Sequence, residues 1–187
     1  MARLDPDVLG EIVKECAGLP HNEMLDKITE EVQKRYPKLH IRKKKRKWYW
    51  SNAGGAMLQI SFIYGSLTEY LLFAHTAIGT EGHTGIYLSR LWDWVLEGEM
   101  WHYGLGDSER TVYRVGDVGF LDKGGGGEGF CVKDNITLLE YARGFIPLMM
   151  PFGLLDSVFS TLDIKSVIGQ SWQYTKLCVR ELIKGRV

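Results

Sequence analysis

Residues 86–98 read IYLSRLWDWVLEG, a run of aromatic, leucine and β-branched residues closed by a glycine, with one aspartate, Asp93, near its middle. Such a run fits a strand. In an extended chain Asp93 shares a face with Leu91 and Val95, while Trp92, Trp94 and Leu96 point the other way, so a carboxyl stands beside large apolar groups on either reading of the faces. The neighbouring sequence repeats the pattern: WYWSNAGG (48–55), AMLQISFIYGS (56–66), TEYLLFAHTAIG (68–79), RTVYRVGDVGFLD (110–122), EGFCVK (128–133) and TLLEYARG (137–144). Glycine-rich stretches at 54–55, 79–85, 104–107 and 124–127 separate these runs. Many short strands joined by glycine turns predict a small barrel or sandwich over residues 48–143. The run of four glycines after Lys123 lacks the Lys-Ser/Thr ending of a phosphate loop and follows no βαβ pattern, so it reads as a hairpin tip.

The segments on either side are helical. Asp5 is placed to cap a helix that starts at Pro6 and carries Val8, Leu9, Ile12, Val13 and Cys16 on one stripe, up to the stop at 18–20. Asn22 is the expected cap of a second helix with Met24, Leu25, Ile28, Val32 and Tyr36, stopped by Pro37. After residue 144, Leu154, Leu155, Val158, Phe159 and Leu162 follow one helical face. Ile164, Val167, Ile168, Trp172, Leu177 and Leu182 follow another, with Lys176, Arg180, Lys184 and Arg186 toward its end. Two readings of these last helices are open: ordinary core packing, or a pair that lies flat on a bilayer or covers a barrel mouth. The expected organisation is a single domain, 1–187, with a helical segment at 1–40, a β-barrel at 48–143 and closing helices at 144–187.

Composition narrows the function. The 187 residues are 45% hydrophobic and 25% charged, with 23 basic and 23 acidic side chains, which suits a globular chain with an ample core and excludes disorder and collagen. Zero net charge removes the overall attraction that nucleic-acid binders use. Residues 42–47 are all basic and are followed by Trp48, Tyr49 and Trp50, a pattern open to a solvated turn, a lipid-headgroup contact or, least well supported, a nucleic-acid patch. Cys16, Cys131 and Cys178 are too far apart for a zinc motif and read as reduced thiols. The N-terminal stretch MARLDPDVLGEIV is interrupted by acids and is no secretory leader, and the uncharged residues 51–68 are too polar for a membrane helix. His21, His40, His75, His83 and His102 form no metal-binding spacing, and His83 in GTEGHTG reads as a turn former. No metal and no cofactor are expected. Three acids stand out among apolar runs, Glu69, Asp93 and Glu140, and such acids neutralise, find hydrogen bonds or pair with a cation when buried.

The phrases AGGAM (53–57), SLTEYLLF (66–73), HTAIGTEGHTG (75–85), LLEYARGFIP (138–147), MPFG (150–153) and FSTLD (159–163), in this order, resemble the family of fungal C-8 sterol isomerase and the animal sigma-1 receptor, in wording nearer the isomerase. The resemblance implies a cupin-like β-barrel entered after short helices and closed by two C-terminal helices against a membrane, assembled as a trimer and, in a eukaryote, associated with the endoplasmic reticulum. It implies Glu140 and Asp93 as an acid pair that shares a proton, Tyr70 as hydrogen-bond donor to Glu140, and Glu69 as a structural acid. Tyr87, Leu91, Leu72, Ile60, Phe62, Met150 and Tyr174 match pocket-lining positions, together with Glu140, Asp93 and Tyr70. Family members commonly begin with a transmembrane helix, and this sequence starts after the point where that helix would end, so two readings are open: a piece from which the helix was removed, or a naturally peripheral relative; the chain as given is expected to be peripheral and not to span. Ala56 and Ile86 stand where the receptor has a tryptophan and an arginine. The function implied is a Δ8 to Δ7 sterol double-bond isomerase working by carboxylic-acid protonation, with a non-enzymatic binder of lipophilic amines, sterols or lipids as the alternative.

Overall fold

The computed structural model of the chain describes residues 3–42 and 45–186, so Lys43 and Lys44 of the basic run lie outside the described residues. Two helices lead, α1 (Pro6–Cys16) and α2 (His21–Arg35). The Asp5 carboxylate accepts from the Asp7 amide at 3.0 Å, as expected of the cap. The expected cap of α2 is corrected: the helix starts at His21 after Pro20, with no side-chain cap, and Asn22 lies inside its first turn. Instead of a cap, His21 Nδ1 meets Glu97 Oε2 at 2.6 Å and ties the helix start to the sheet.

The strands are β1 (Tyr49–Ala53), β2 (Ala56–Gly65), β3 (Glu69–Thr76), β4 (Thr80–His83), β5 (Ser89–Tyr103), β6 (Thr111–Arg114), β7 (Val118–Leu121) and β8 (Gly129–Gly144). All their pairings are antiparallel, along the path β1-β2-β3-β8-β5-β6, with β4 added to β8 and β7 to β5. The mainly β class with flanking helices is the one expected. Two differences concern lengths. Residues 129–133 and 137–144 belong to one 16-residue strand, β8, because no glycine or proline interrupts 130–143, and 110–122 divides at Gly116 into β6 and β7. The central strand β5 bends between Val95 and Met100, where its register against β8 slips twice. Gly98 sits in that bend at φ 79°, and a Cβ there would stand 2.1 Å from the Asn135 carbonyl oxygen. Gly54 has the same necessity: at φ 60° a Cβ would lie 2.2 Å from His83 O, where the β1–β2 turn seats against β4.

Strand alternation divides the interior in two. Leu71, Phe73, Trp94, Leu96, Leu139 and Tyr141 face α1 and α2 and meet Leu9, Ile12, Leu25 and Ile28 there. Leu72, Ala74, Leu91, Val95, Leu138 and Ala142 face the other way, toward the C-terminal helices α3 (Met150–Phe159) and α4 (Ile164–Ile183), which a short 3-10 turn at Ile146–Leu148 introduces. These helices depart from ordinary core packing. The residues buried on α4 are Ser166, Gln170, Gln173, Tyr174, Leu177, Cys178 and Glu181, while Ile164, Ile168 and Trp172 of the expected core stripe are exposed. On α3 only Ser157 is buried, and Phe159 and the following Leu162 are 78% and 75% exposed. The apolar stripes exist, but several of their largest members point away from the protein. Among the described residues no helix is long and apolar enough to cross a membrane.

Glu69 staples the first segment to the sheet. Its side chain is buried and accepts from the Arg3 amide at 2.7 Å and from the Tyr141 hydroxyl at 2.8 Å, while Arg143 donates to Tyr141 Oη and to Leu4 O. Burial raises the Glu69 carboxyl above its ordinary range, and the hydrogen bonds act against that. Glu69→Ala leaves buried donors unpaired and is expected to cost about 3 kcal/mol in urea unfolding.

Candidate functional site

The register of β5 against β8 sets Asp93 directly opposite Glu140, and that of β3 against β8 sets Leu72 opposite the same Glu140. The two acids lie on the face turned from α1 and α2, as alternation requires of residues flanked by Leu91, Val95, Leu138 and Ala142. Tyr70, two residues before Leu72 on the same face of β3, donates its hydroxyl to Glu140 Oε1 at 2.5 Å. Asp93 Oδ1 is buried and has no hydrogen-bond partner. The acids thus face each other across one ladder, with Glu140 held by a tyrosine and Asp93 left with an unused acceptor.

Around them is a cavity that gives about 170 Å³ to the centres of water-sized molecules, many times the ~10–15 Å³ a single water needs. All the expected pocket residues line it: Ile60 and Phe62 from β2, Tyr70 and Leu72 from β3, Leu91 and Asp93 from β5, Glu140 from β8. Tyr87 enters from the β4–β5 connection, Met150 from the start of α3 and Tyr174 from α4. Tyr87 donates to Thr84 O and packs edge-on against Phe152 with ring centroids 5.1 Å apart. Tyr174 donates to Ser66 O, which pins α4 over the sheet. His83 also lines the cavity, and its Nδ1 accepts from the Gly85 amide at 2.9 Å, the turn-forming contact expected of it.

The surroundings decide the charge state. Burial raises the Asp93 carboxyl well above the ordinary carboxylate range, and the facing Glu140 adds to the effect. Burial also raises Glu140, with the Tyr70 hydrogen bond pulling the other way because it favours the carboxylate. Tyr70 itself is pushed well up by burial and then by Glu140, so it stays a neutral donor. Two carboxyls this close in an apolar enclosure lose their protons as a coupled pair, since ionising both at once sets like charges against each other. Chemically the arrangement can hold a proton above the pH at which free carboxylates lose theirs, deliver it to a ligand and take one back. Among the described residues no group of three or more His, Cys, Asp or Glu side chains is arranged to hold a metal.

Reading the sequence missed part of the wall. His102, Gln170, Leu121, Met149 and Phe152 line the cavity as well. Phe152 lies within the MPFG phrase and Leu121 within an expected strand, but neither His102 nor Gln170 carries a local signal that it turns inward.

The family described as "ERG2 and Sigma1 receptor like protein" matches residues 2–186. A "Protein erg2 homolog" of Dictyostelium discoideum is 37% identical over 161 residues, covering 86% of this chain and 68% of that protein. A "C-8 sterol isomerase" of Pyricularia oryzae is 38% identical over 176 residues, 94% of this chain and 70% of that protein. A "Sigma non-opioid intracellular receptor 1" of Gallus gallus is 32% identical over 171 residues, 91% of this chain and 77% of that protein. Among solved structures, an RmlC-like cupin from Shewanella frigidimarina overlaps 54% of this chain and 85% of its own at a TM-score of 0.45 and 17% identity. The chain belongs to the family of ERG2 and sigma-1 receptor like proteins, which includes C-8 sterol isomerases and sigma-1 receptors.

Proposed function

We propose that the chain is a sterol C-8 double-bond isomerase, moving a ring double bond from the Δ8 to the Δ7 position with Glu140 and Asp93 as the acid/base pair. The observation that carries this reading is the direct cross-strand pairing of two buried carboxyls in an otherwise apolar cavity. The reaction needs a proton at C-9, a tertiary cation at C-8 and loss of a proton from C-7, which is general acid and base work with no change of oxidation state. The pair supplies the proton in its protonated form and, once ionised, a negative charge beside the cation. Tyr70, Tyr87, Phe62 and Tyr174 add ring faces to the enclosure, each worth roughly 0.5–2 kcal/mol against a desolvated cation. Burial of the ligand's hydrocarbon supplies affinity, at about 0.8 kcal/mol per buried CH2.

A second reading, a binder of lipophilic amines without turnover, is favoured by the unpartnered Asp93 Oδ1, which a protonated amine would satisfy. The exposed face of α3 and α4 supports a position on a membrane surface for either function. It presents Phe159, Leu162, Ile168 and Ile183, and Lys176 stands 4.6 Å from the Trp172 ring as cation and indole do at a headgroup layer.

Purified protein given a Δ8 sterol in deuterated water is expected to release a Δ7 sterol carrying deuterium at C-9, and Glu140→Gln to lower the rate by about a thousandfold or more. Tight amine binding with no conversion decides for the binder, and an unaltered rate in Glu140→Gln removes Glu140 from the reaction. Asp93 gives a pH signature independent of turnover. Its folded pKa lies above its unfolded one, so stability is full below about pH 4 and declines as pH climbs from there through the raised folded value. Asp93→Asn is expected to flatten that decline in urea midpoints measured across pH, whereas an unchanged slope contradicts the assigned charge state. For the membrane contact, sedimentation with vesicles of phosphatidylcholine and anionic lipid is expected to fall about tenfold in Ile168→Glu with thermal stability retained; equal sedimentation of both proteins refutes it.

A further inference from the structure

The cavity wall contains a second built polar group, away from the Glu140 hydrogen bond. His102 of β5 is 3% exposed, and its Nδ1 meets Glu128 Oε2 at 2.8 Å. Glu128 is in turn fixed through its amide, which donates to Thr84 Oγ1 at 2.9 Å. The rings of Tyr113 and Phe130 stand edge-on to the imidazole at 5.1 and 5.6 Å, so the ring is clamped between two strands. Its other nitrogen, Nε2, is buried and has no hydrogen-bond partner. Burial lowers the His102 pKa despite the neighbouring carboxylate, which keeps the ring neutral. A neutral ring whose Nδ1 faces a carboxylate carries its proton there, and Nε2 is left as a bare acceptor.

His102 also stands close to the acids. A Cβ built on Gly119 of β7 would lie 3.6 Å from His102 Cε1 and 4.0 Å from Asp93 Cβ, with the Met100 methyl nearer still at 2.7 Å, so the imidazole and Asp93 flank the same point of the wall. Gln170 Nε2, which is also fully buried without a hydrogen-bond partner, is on the α4 cover and not in this sheet wall.

We propose that His102 is a specificity-determining residue that reads a hydroxyl: Nε2 accepts the hydrogen bond of a sterol's secondary ring alcohol while the ring double bond lies at Asp93 and Glu140. The inference rests on the sterol reading above and deepens it by naming which end of the ligand is recognised, and how. An acceptor held in a fixed tautomer takes a hydroxyl but has nothing to offer a carbonyl of the same size, and an unmatched pair of acceptors in an apolar wall is costly.

Equilibrium binding and initial rates are measured for a Δ8 sterol and for its 3-ketone, with wild type and His102→Leu. Wild type is expected to bind the alcohol roughly tenfold more tightly than the ketone, and His102→Leu to bind the two within about twofold. His102→Gln, whose amide oxygen restores an acceptor, is expected to recover part of the preference and serves in place of the leucine variant if that fails to fold. Equal binding of alcohol and ketone by wild type overturns the inference, as does a tenfold preference surviving in His102→Leu, even where wild type binds and converts the sterol. Wild type that binds neither compound overturns the sterol reading, and this inference with it.

Discussion

The structure depends on one register. Where β5 lies against β8, a carboxyl meets a carboxyl, and a one-residue slip of β5 would turn Asp93 to the face packed by α1 and α2 while Glu140, held in register by β3, stayed behind. The flanking residues hold that register. Leu91, Val95, Leu138 and Ala142 belong to the cavity side and Trp94, Leu139 and Tyr141 to the helix side, so slipping the ladder would exchange two apolar surfaces that are each already filled. Burying two acids together opposes folding, because each lacks the water that would stabilise its charge. The apolar contacts on both faces of the same strands outweigh that cost, and the acids stay where chemistry needs them.

Tyr70 and Glu69 show how adjacent residues on one strand divide the labour. Pointing to opposite faces, Tyr70 reaches Glu140 in the cavity and Glu69 reaches Tyr141 and the Arg3 amide on the helix side. The acid that enters the cavity has one tyrosine donor and an apolar enclosure. The acid that does not is bonded to the chain leading into α1. Environment, not residue type, separates the two roles.

Much of this was legible in the primary structure because strands alternate with a period of two. Asp93 with Leu91 and Val95, and Glu140 with Leu138 and Ala142, already share a face in the sequence; the family phrases contain Tyr70 and Met150, and the resemblance places Tyr87 and Tyr174 at pocket positions beyond those phrases. What could not be read is of another kind. The pairing of Asp93 with Glu140 spans 47 positions, a distance over which spacing carries no information about register. His102 and Glu128 meet only because β5 bends at Gly98 and brings His102 opposite Phe130. The helices erred in a third way: periodicity reveals that α3 and α4 have an apolar face without revealing which way it turns. On α4 serine and glutamine are buried beside Tyr174 and Leu177 while isoleucine and tryptophan lie outside, so its apolar residues divide between the two faces.

Under the proposed function, that division and the acid pair answer the same solvent problem. The proposed ligand is nearly all hydrocarbon and partitions into lipid before it reaches any protein, so a cavity for it gains by opening close to an apolar phase. A cover presenting only polar residues outward would hold a hydrated layer between the two. In this chain α3 and α4 turn Phe159, Ile168 and Trp172 outward, and Tyr174 and Gln173 inward, where Gln173 donates to Phe62 O at 3.2 Å. The inward polar groups add directional bonds to an apolar seam in which Tyr174, Leu177 and Cys178 pack with Phe62 and Leu72 of the sheet.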